Sequence, residues 1–450
     1  MQVTGKRILV VGMARSGIAV AKLLCKAGAT PILNDSKEEA SFGQALDELR
    51  SLPCQWRLGR PAMELLDEAE GVVISPGIPD TAPFVVKARE MGLEVIGELE
   101  MAFELSRGIT VAVTGTNGKT TTVSLLGEMF KNAGKVAHVV GNIGYPYSAA
   151  GLESHDEDVM VTEVSSFQLE TIMDFHPNVS AILNITPDHL DRHKTMECYI
   201  EVKEGIAKNQ TEEDTCVLNY DDAVLREFGQ DLKPKVIFFS SRHTLDEGLY
   251  LDGETIVWKE GSKVTEIINV NELKLLGRHN HENVMAAVAI SSKMGVPMDT
   301  IRKVLREFKA VEHRIEFVTE RFGVKYYNDS KGTNPDAAMQ AIKAMPGPTL
   351  LIAGGYDKHS EVDEWIESFD GKVRYLVLIG QTRDKIADCA KKHGFTDIMY
   401  AEDLLEAVQV CASYANIGDN VLLSPACASW GMFKNFEERG EKFKEYVRSL

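Results

Sequence analysis

Short runs of β-branched and aliphatic residues recur along the chain, each followed by a stretch with helical spacing. The first group is "RILVV" at 7–11, the helical "SGIAVAKLLCKAG", then "TPILND", "EGVVISPG" and "LEVIG" at 93–97. The rhythm restarts at "ITVAV" (109–113) and continues through "DVMVTEV" and "VSAILNI"; it restarts again at "VKYYN" (324–328) and runs through "TLLIAGG", "VRYLVLIG" and "NVLLSP". Apolar strands alternating with helices of about 10 to 15 residues predict parallel sheets with helical crossovers. Between the second and third groups, "LYLDGETIVWK" predicts a hairpin turning at Asp-Gly, and "GRHNHENVMAAVAISSKMG" predicts a helix. The chain therefore predicts three α/β units with boundaries near 99 and 310, which suits 450 residues at about 150 per domain.

Open α/β sheets bind ligands beyond the carboxyl ends of their strands. The segments that follow the predicted strands are "GMARSG", "NDSK", "SPGIP", "GTNGKTT", "TEVSSFQ", "NITPDHLDRH", a second "NDSK", "AGGYDK" and "SPACAS". Nearly all small, polar and reactive residue types gather in them.

Composition narrows the classes. With 44% apolar and 26% charged residues the chain reads as an ordinary globular protein. It has no apolar run of the roughly 18 residues that a membrane span needs. The segment "MQVTGKRILVVG" predicts a strand rather than a signal peptide, and seven scattered cysteines without a CxxC pair predict reduced thiols and a cytoplasmic setting. Cys427 in "PACAS" is a candidate thiol, with packing the commoner role for such a residue. A net charge of −18 argues against nucleic acid, whose phosphates require a basic surface. Small anions remain admissible, because bulk charge is screened beyond about 8 Å and local cations decide the attraction.

The strongest chemical signal is "VAVTGTNGKTTT". Gly115, Thr116, Asn117, Gly118, Lys119, Thr120 and Thr121 follow a strand and open a helix. Glycines let backbone N–H groups approach phosphate oxygens, Lys119 suits the terminal phosphates, and the Thr120 hydroxyl suits Mg²⁺. The common GxxxxGK[ST] pattern would need glycine at position 113, where Val113 stands, so the loop is a shortened form. "GMARSG" lacks the middle glycine of a dinucleotide fingerprint. It admits two readings, a nucleotide turn that would bind NAD or packing glycines, and Asp35 stands where an acid could meet a ribose or a uracil.

Glu163 ends a predicted strand, where a carboxylate can meet nucleotide-bound Mg²⁺. His189 and His193 are spaced i, i+4. The zinc-protease motif would need glutamate at 190, and Leu190 excludes it. Because Mg²⁺ prefers oxygen ligands, residue chemistry alone favours satisfied histidines there. Lys203 reads as a helix-surface lysine. His313 and Arg314 precede the third unit's first predicted strand, and Asp329, Ser330, Lys331, Thr333, Lys358 and Ser424 give its carboxyl edge a local positive character.

Taken together, "TGTNGKTTT", "EVSSFQLE", "NITPDHLDRH", "GRHNHEN", "HRIE", "NDSKGTNPDA" and "LLSPACAS…FKNFEERG" resemble the Mur ligases along the whole chain. Within that family, "SPGIP" and "SPACAS" side with the branch that adds D-glutamate. The "DNPR" motif of the diaminopimelate- or lysine-adding branch is absent, and the loop is GTNGKT rather than the GTHGKT of the alanine-adding branch. The resemblance implies a Rossmann-like, UDP-binding N-terminal domain (1–99), a central P-loop ATPase-type domain on a parallel sheet (100–310) and a Rossmann-like, amino-acid-binding C-terminal domain (311–450). It implies a cytoplasmic, monomeric enzyme of peptidoglycan synthesis that uses ATP and two Mg²⁺ ions to join D-glutamate to UDP-N-acetylmuramoyl-L-alanine through an acyl phosphate. Folate polyglutamate ligases share the loop and are the alternative within the class; their chains would begin near the phosphate loop.

Residue by residue, the resemblance implies that Thr120, Glu163, His189 and a CO₂-derived carbamate on Lys203 hold metal. Lys119, Glu163, His189, Lys203 and Lys331 are the implied catalytic set. Asn280, Arg314 and Asp329 join the loop in binding ATP. Ser16, Asp35, Ser36, Lys37, Ser75, Gly77, Asn142, Ser165 and Gln168 face the UDP-muramoyl acceptor. His189, Lys331, Thr333, Lys358, Ser424 and Phe433 face D-glutamate. The chain departs from the family at Trp430-Gly431, where many members carry an aspartate after "SPACAS".

Overall fold

The computed structural model describes residues 1–357 and 360–450. Three sheets account for the three restarts of the sequence pattern. The first contains β1 (Arg7–Val11), β2 (Thr30–Asn34), β3 (Gln55–Trp56), β4 (Gly71–Ile74) and β5 (Val95–Gly97), all parallel in the order β3-β2-β1-β4-β5.

The second sheet contains β6 (Ile109–Thr114), β7 (Ala137–Gly141), β8 (Val159–Glu163), β9 (Val179–Ile182), β10 (Thr215–Asn219), β11 (Lys235–Ser240), β12 (Gly248–Asp252), β13 (Thr255–Glu260) and β14 (Lys263–Asn269). Its order is β14-β13-β12-β11-β10-β9-β6-β8-β7. It is parallel from β7 through β12 and antiparallel beyond. The predicted Asp-Gly hairpin forms with Asp252 opposite Thr255 and Gly253 at φ 57°, as a tight turn requires.

The third sheet contains β15 (Glu316–Arg321), β16 (Val324–Asn328), β17 (Thr349–Ala353), β18 (Val373–Leu378), β19 (Ile398–Tyr400) and β20 (Asn420–Leu423), in the order β15-β16-β20-β17-β18-β19. The sequence pattern starts this unit at β16. The structure places an antiparallel edge strand, β15, one step earlier. "EFVTER" escapes a pattern search because it is half-exposed and rich in charge.

The middle strands are buried on both faces, as Ile8–Val11, Val111–Val113 and Leu350–Ala353 show. That burial explains why they read as continuous apolar runs rather than as alternation. By compactness the chain divides into one unit of Met1–Asn269 with Glu282–Leu305, and another of Val270–His281 with Arg306–Leu450. The predicted helix forms over Arg278–Lys293. Among the described residues, no helix is long and apolar enough to cross a membrane.

Candidate active site

Polar residues gather at the carboxyl ends of the parallel strands, because a strand that is buried along its length can place side chains at a ligand only where it stops. Thr114 ends β6, Glu163 ends β8 and Ile182 ends β9, and Val113 faces Glu163 in register.

The phosphate loop leaves β6 through Gly115 (φ 144°) and enters the helix Lys119–Asn132 through Gly118 (φ 88°). A Cβ on Gly118 would stand 2.2 Å from Asn283 Oδ1, so the approach itself demands glycine. Asn184 fastens the loop, taking the Asn117 N–H on Oδ1 at 2.8 Å and the Thr116 N–H on its carbonyl at 2.9 Å. The Thr116 hydroxyl meets Tyr199 Oη at 3.0 Å. Lys119 folds back on the loop, donating to the carbonyls of Gly115 (2.7 Å) and Thr116 (2.8 Å). Thr120 and Thr121 are buried in the first turn of the helix.

Lys203 is not the surface residue its local sequence suggests. Its side chain is 1% exposed, and Nζ donates to the Gly115 carbonyl at 2.9 Å and to Thr114 Oγ1 at 3.4 Å, with the Tyr199 ring 4.9 Å away. Burial, and then the neighbouring Lys119 charge, push its pKa well below the ordinary lysine value, against a weaker pull from Asp188. The sequence does hold a signal for this position. Tyr199, Lys203 and Ile206, spaced i, i+4, i+7, are all buried, so Lys203 occupies an apolar stripe.

Glu163 is 1% exposed. Its Oε1 accepts from Asn142 Nδ2 at 3.2 Å, while Oε2 is buried and meets no donor. An orphaned carboxylate oxygen at a strand end beside the phosphate loop, with the buried Thr120 hydroxyl, is a donor set of the oxygen type that Mg²⁺ prefers. His189 lies at φ 53° as the cap of the short helix Leu190–His193, edge-on to Phe167 at 4.9 Å and 3.6 Å from Asp188. His193 is buried and meets Ser166 Oγ at 2.9 Å, the satisfied histidine that residue chemistry favours. Asp188 was not singled out in the sequence, yet its charge is felt at both Lys203 and Tyr199.

Ser165 and Gln168 form a reciprocal capping box, each holding the other's backbone N–H. Gln168 also lines a hollow with Ser75, Ile78, Glu98, Phe167 and Thr171, so the structure brings the "SPGIP" turn and "EVSSFQ" together. Arg192, absent from the sequence reading, joins these two segments. Its guanidinium donates to the carbonyls of Gly77 (3.4 Å) and Ile78 (3.0 Å), pairs with Glu170 and covers Phe167 at 4.9 Å.

In the first sheet the glycines of "GMARSG" serve packing. A Cβ on Gly12 would lie 2.6 Å from Ser75 Oγ, and one on Gly17 would lie 1.8 Å from the Gly12 carbonyl. Asp35 holds the turn by accepting the Met13 N–H (2.8 Å) and the Lys37 N–H (3.0 Å), with Ser36 Oγ 3.5 Å away. Ser75 donates to the Gly12 carbonyl at 3.0 Å, and Ser16 is part-exposed in the first turn of the helix Arg15–Lys26.

The other compact unit carries Asn280, whose Nδ2 donates to the Leu276 carbonyl at 2.7 Å, together with the "NDSKGTN" loop after β16. Asp329 is buried and takes the Ser424 hydroxyl (2.7 Å) and the Ile315 N–H (3.2 Å). Burial lifts its pKa to about 7, against the Ser424 hydrogen bond and the charges of Arg314 and Arg439. Lys331 Nζ lies over the Phe436 ring at 4.6 Å, and Phe433 packs against the core behind β20. Thr333 lines a hollow with Tyr356, Asp357, Thr382, Lys385 and Cys427. Lys385 is a cation the sequence reading passed over, since it resembles any helix lysine; here it pairs with Asp357 at 3.1 Å. Cys427 is buried, which raises its thiol pKa and fits the packing role. Lys358 lies outside the described residues. Gly431 sits at φ 85° with open space around its Cβ position, beside Trp430, whose ring meets Tyr356 at 5.4 Å.

Comparison with known proteins extends this picture over the whole chain. Residues 6–97 match the MurD-like N-terminal domain of Mur ligases, residues 113–291 the Mur ligase middle domain, and residues 313–427 the Mur ligase glutamate ligase domain. The chain is similar to the UDP-N-acetylmuramoylalanine–D-glutamate ligase of Lachnoclostridium phytofermentans, at 52% identity over 100% of this chain and 99% of that one. It is 50% identical to the enzyme of that name from Caldanaerobacter subterraneus, over 100% of both chains. Among solved structures, UDP-N-acetylmuramate-alanine ligase MurC from Thermotoga maritima shares the fold with a TM-score of 0.61, at 18% identity over 99% of both chains. The MurF ligase from Thermotoga maritima in complex with ADP also scores 0.61, at 18% identity over 100% of this chain and 96% of that one.

Proposed function

As the chain belongs to the Mur ligase family, we propose that it is the ATP-dependent, ADP-forming ligase that joins D-glutamate to UDP-N-acetylmuramoyl-L-alanine in peptidoglycan synthesis. The geometric observation that carries the reading is the Lys203 amine, fully buried against the Gly115 carbonyl of the phosphate loop and driven toward its neutral form. A structural lysine gains nothing from that position. A neutral amine there can add CO₂: its lone pair forms the N–C bond, its proton leaves to water, and a carbamate anion results.

Lys119 leaves the Gly115 and Thr116 carbonyls for the terminal phosphates of ATP, and the loop N–H groups cradle the remainder. Thr120, Glu163, His189 and carbamylated Lys203 would hold Mg²⁺, which supplies neutralising charge to the phosphates. Asn142, Ser165 and Gln168 orient the muramoyl-alanine carboxylate toward the γ-phosphorus, while Ser16, Asp35, Ser36, Lys37, Ser75 and Gly77 take the uridine end. That carboxylate attacks, ADP departs, and an acyl phosphate forms. The amine of D-glutamate then attacks the acyl carbon, and the tetrahedral adduct collapses with loss of inorganic phosphate. Asn280, Arg314 and Asp329 complete the nucleotide contacts, and His189, Lys331, Thr333, Lys358, Ser424 and Phe433 receive D-glutamate. Positioning and charge stabilisation supply the rate. The match of residues 6–97 to a MurD-like N-terminal domain favours this acceptor over folate.

The test is phosphate release from ATP. Release is expected only with UDP-N-acetylmuramoyl-L-alanine and D-glutamate together, with L-glutamate inert, and ¹⁸O placed in the acceptor carboxylate should appear in the liberated phosphate. Turnover with folate and L-glutamate instead would overturn the assignment.

A further inference from the structure

In the third domain, away from the strand ends, two neighbouring helices each bring ligating side chains to one place. The helix Asp363–Glu367 carries Asp363 and Glu367, and the helix Arg383–Lys392 with its cap carries Cys389 and His393. Each pair is spaced i, i+4 and so shares one helix face. Ligand atoms of Asp363, Cys389 and His393 all lie within 4.8 Å of one another. His393 Nε2 is 2.8 Å from Asp363 Oδ1, and its Nδ1 is 3.3 Å from Glu367 Oε1. We propose that Asp363, Cys389 and His393 form a binding site for a divalent transition-metal ion of the Zn²⁺ type, with Glu367 orienting the imidazole.

The donor chemistry selects the ion. One thiolate, one imidazole and one carboxylate suit Zn²⁺, which takes sulfur, nitrogen and oxygen together, and do not suit Mg²⁺. Three protein ligands leave a fourth position to water. Metal-bound histidines donate their other ring N–H to a carboxylate, and Glu367 stands where that acceptor belongs. The carboxylate already attracts cations: Lys392 Nζ lies 3.0 Å from Asp363 Oδ1. That side chain is 72% exposed and can swing into solvent when a metal takes its place. A thiol ligates only as its thiolate, so binding must expel a proton and strengthens as pH rises. The ion would clip the two helices together.

The full-length protein, stripped of metal by a chelator and returned to Mg²⁺ buffer, is titrated with Co²⁺. The expected result is a thiolate-to-cobalt charge-transfer absorption that saturates with a single ion per chain and is bleached by Zn²⁺. Cys389→Ser should abolish it. His393→Gln and Glu367→Gln should weaken Co²⁺ binding by about tenfold or more, and all three should leave Mg²⁺-dependent ligase turnover unchanged. If Cys389→Ser fails to fold, the affinity loss in the other two variants decides. No band in the wild type at saturating Co²⁺ overturns the proposal. So does survival of the band in Cys389→Ser, which would assign it to another pair such as Cys25 and Cys54, whose sulfurs are 3.6 Å apart.

Discussion

Among the described residues, the two most deeply buried basic side chains are Lys203 beside the phosphate loop and Arg439 beneath the third sheet's carboxyl edge, each 1% exposed. Arg439 is fully engaged: its guanidinium donates to Ser330 Oγ (3.0 Å), the Ser330 carbonyl (2.7 Å) and the Cys427 carbonyl (3.1 Å). It stays a cation, with its pKa lowered by burial only to about 10. Lys203 is held by one carbonyl and one hydroxyl, faces the like charge of Lys119, and is driven toward neutrality. A buried cation with an acceptor at each nitrogen holds the fold together, whereas a buried amine with fewer partners and a like charge beside it is a candidate for chemistry.

The sharpest way to break that contrast is Lys203→Ala. We expect turnover to fall by about 10³-fold or more, as when a charged group at the reacting centre is lost, while the urea midpoint holds or rises. Short carboxylic acids should restore part of the activity by standing in for the proposed carbamate. Full activity in the variant would remove Lys203 from the mechanism.

The converse substitution, Arg439→Met, should act on stability. It strands the Ser330 and Cys427 carbonyls and removes one of the two cations whose charge Asp329 feels, leaving Arg314, and we expect a loss of about 3–5 kcal/mol in urea denaturation. An unchanged midpoint would show that the guanidinium network is dispensable. Glu163→Gln sharpens the first half of the comparison. Oε1 can still take the Asn142 N–H, so the melt should hold, while turnover falls by about 10²-fold and the Mg²⁺ requirement rises.

The smallest effect concerns Asp329, beside Arg439. Its native pKa of about 7 lies above the roughly 3.9 of an unfolded aspartate. The native state therefore binds more protons between those values, and this group's stabilising share is complete below the lower one and lost as pH rises through about 7. Urea midpoints near pH 6 and pH 8 should differ less in Asp329→Asn than in the parent.

Most of the architecture was legible in the chain because parallel strands buried on both faces are written as unbroken apolar runs. The edge strand β15 was not, since an edge carries charge and weak alternation. The phosphate loop was legible from glycine spacing, and Glu163 from its place at a strand end. Lys203 was misread because the chemistry that marks it comes from Thr114 and Gly115, almost ninety residues away. Arg192 was invisible for the same reason: its partners at Gly77 and Ile78 come from another domain of the family pattern.

Because Arg192 and Glu170 tie the "SPGIP" turn to the Ser165–Gln168 capping box, the proposed acceptor meets a surface that is assembled before it arrives. Little ordering entropy remains to be lost on association. For inhibitor discovery, a fragment lodged against Ser75 and another against Gln168 could be linked rigidly, and their affinities should then combine with little penalty.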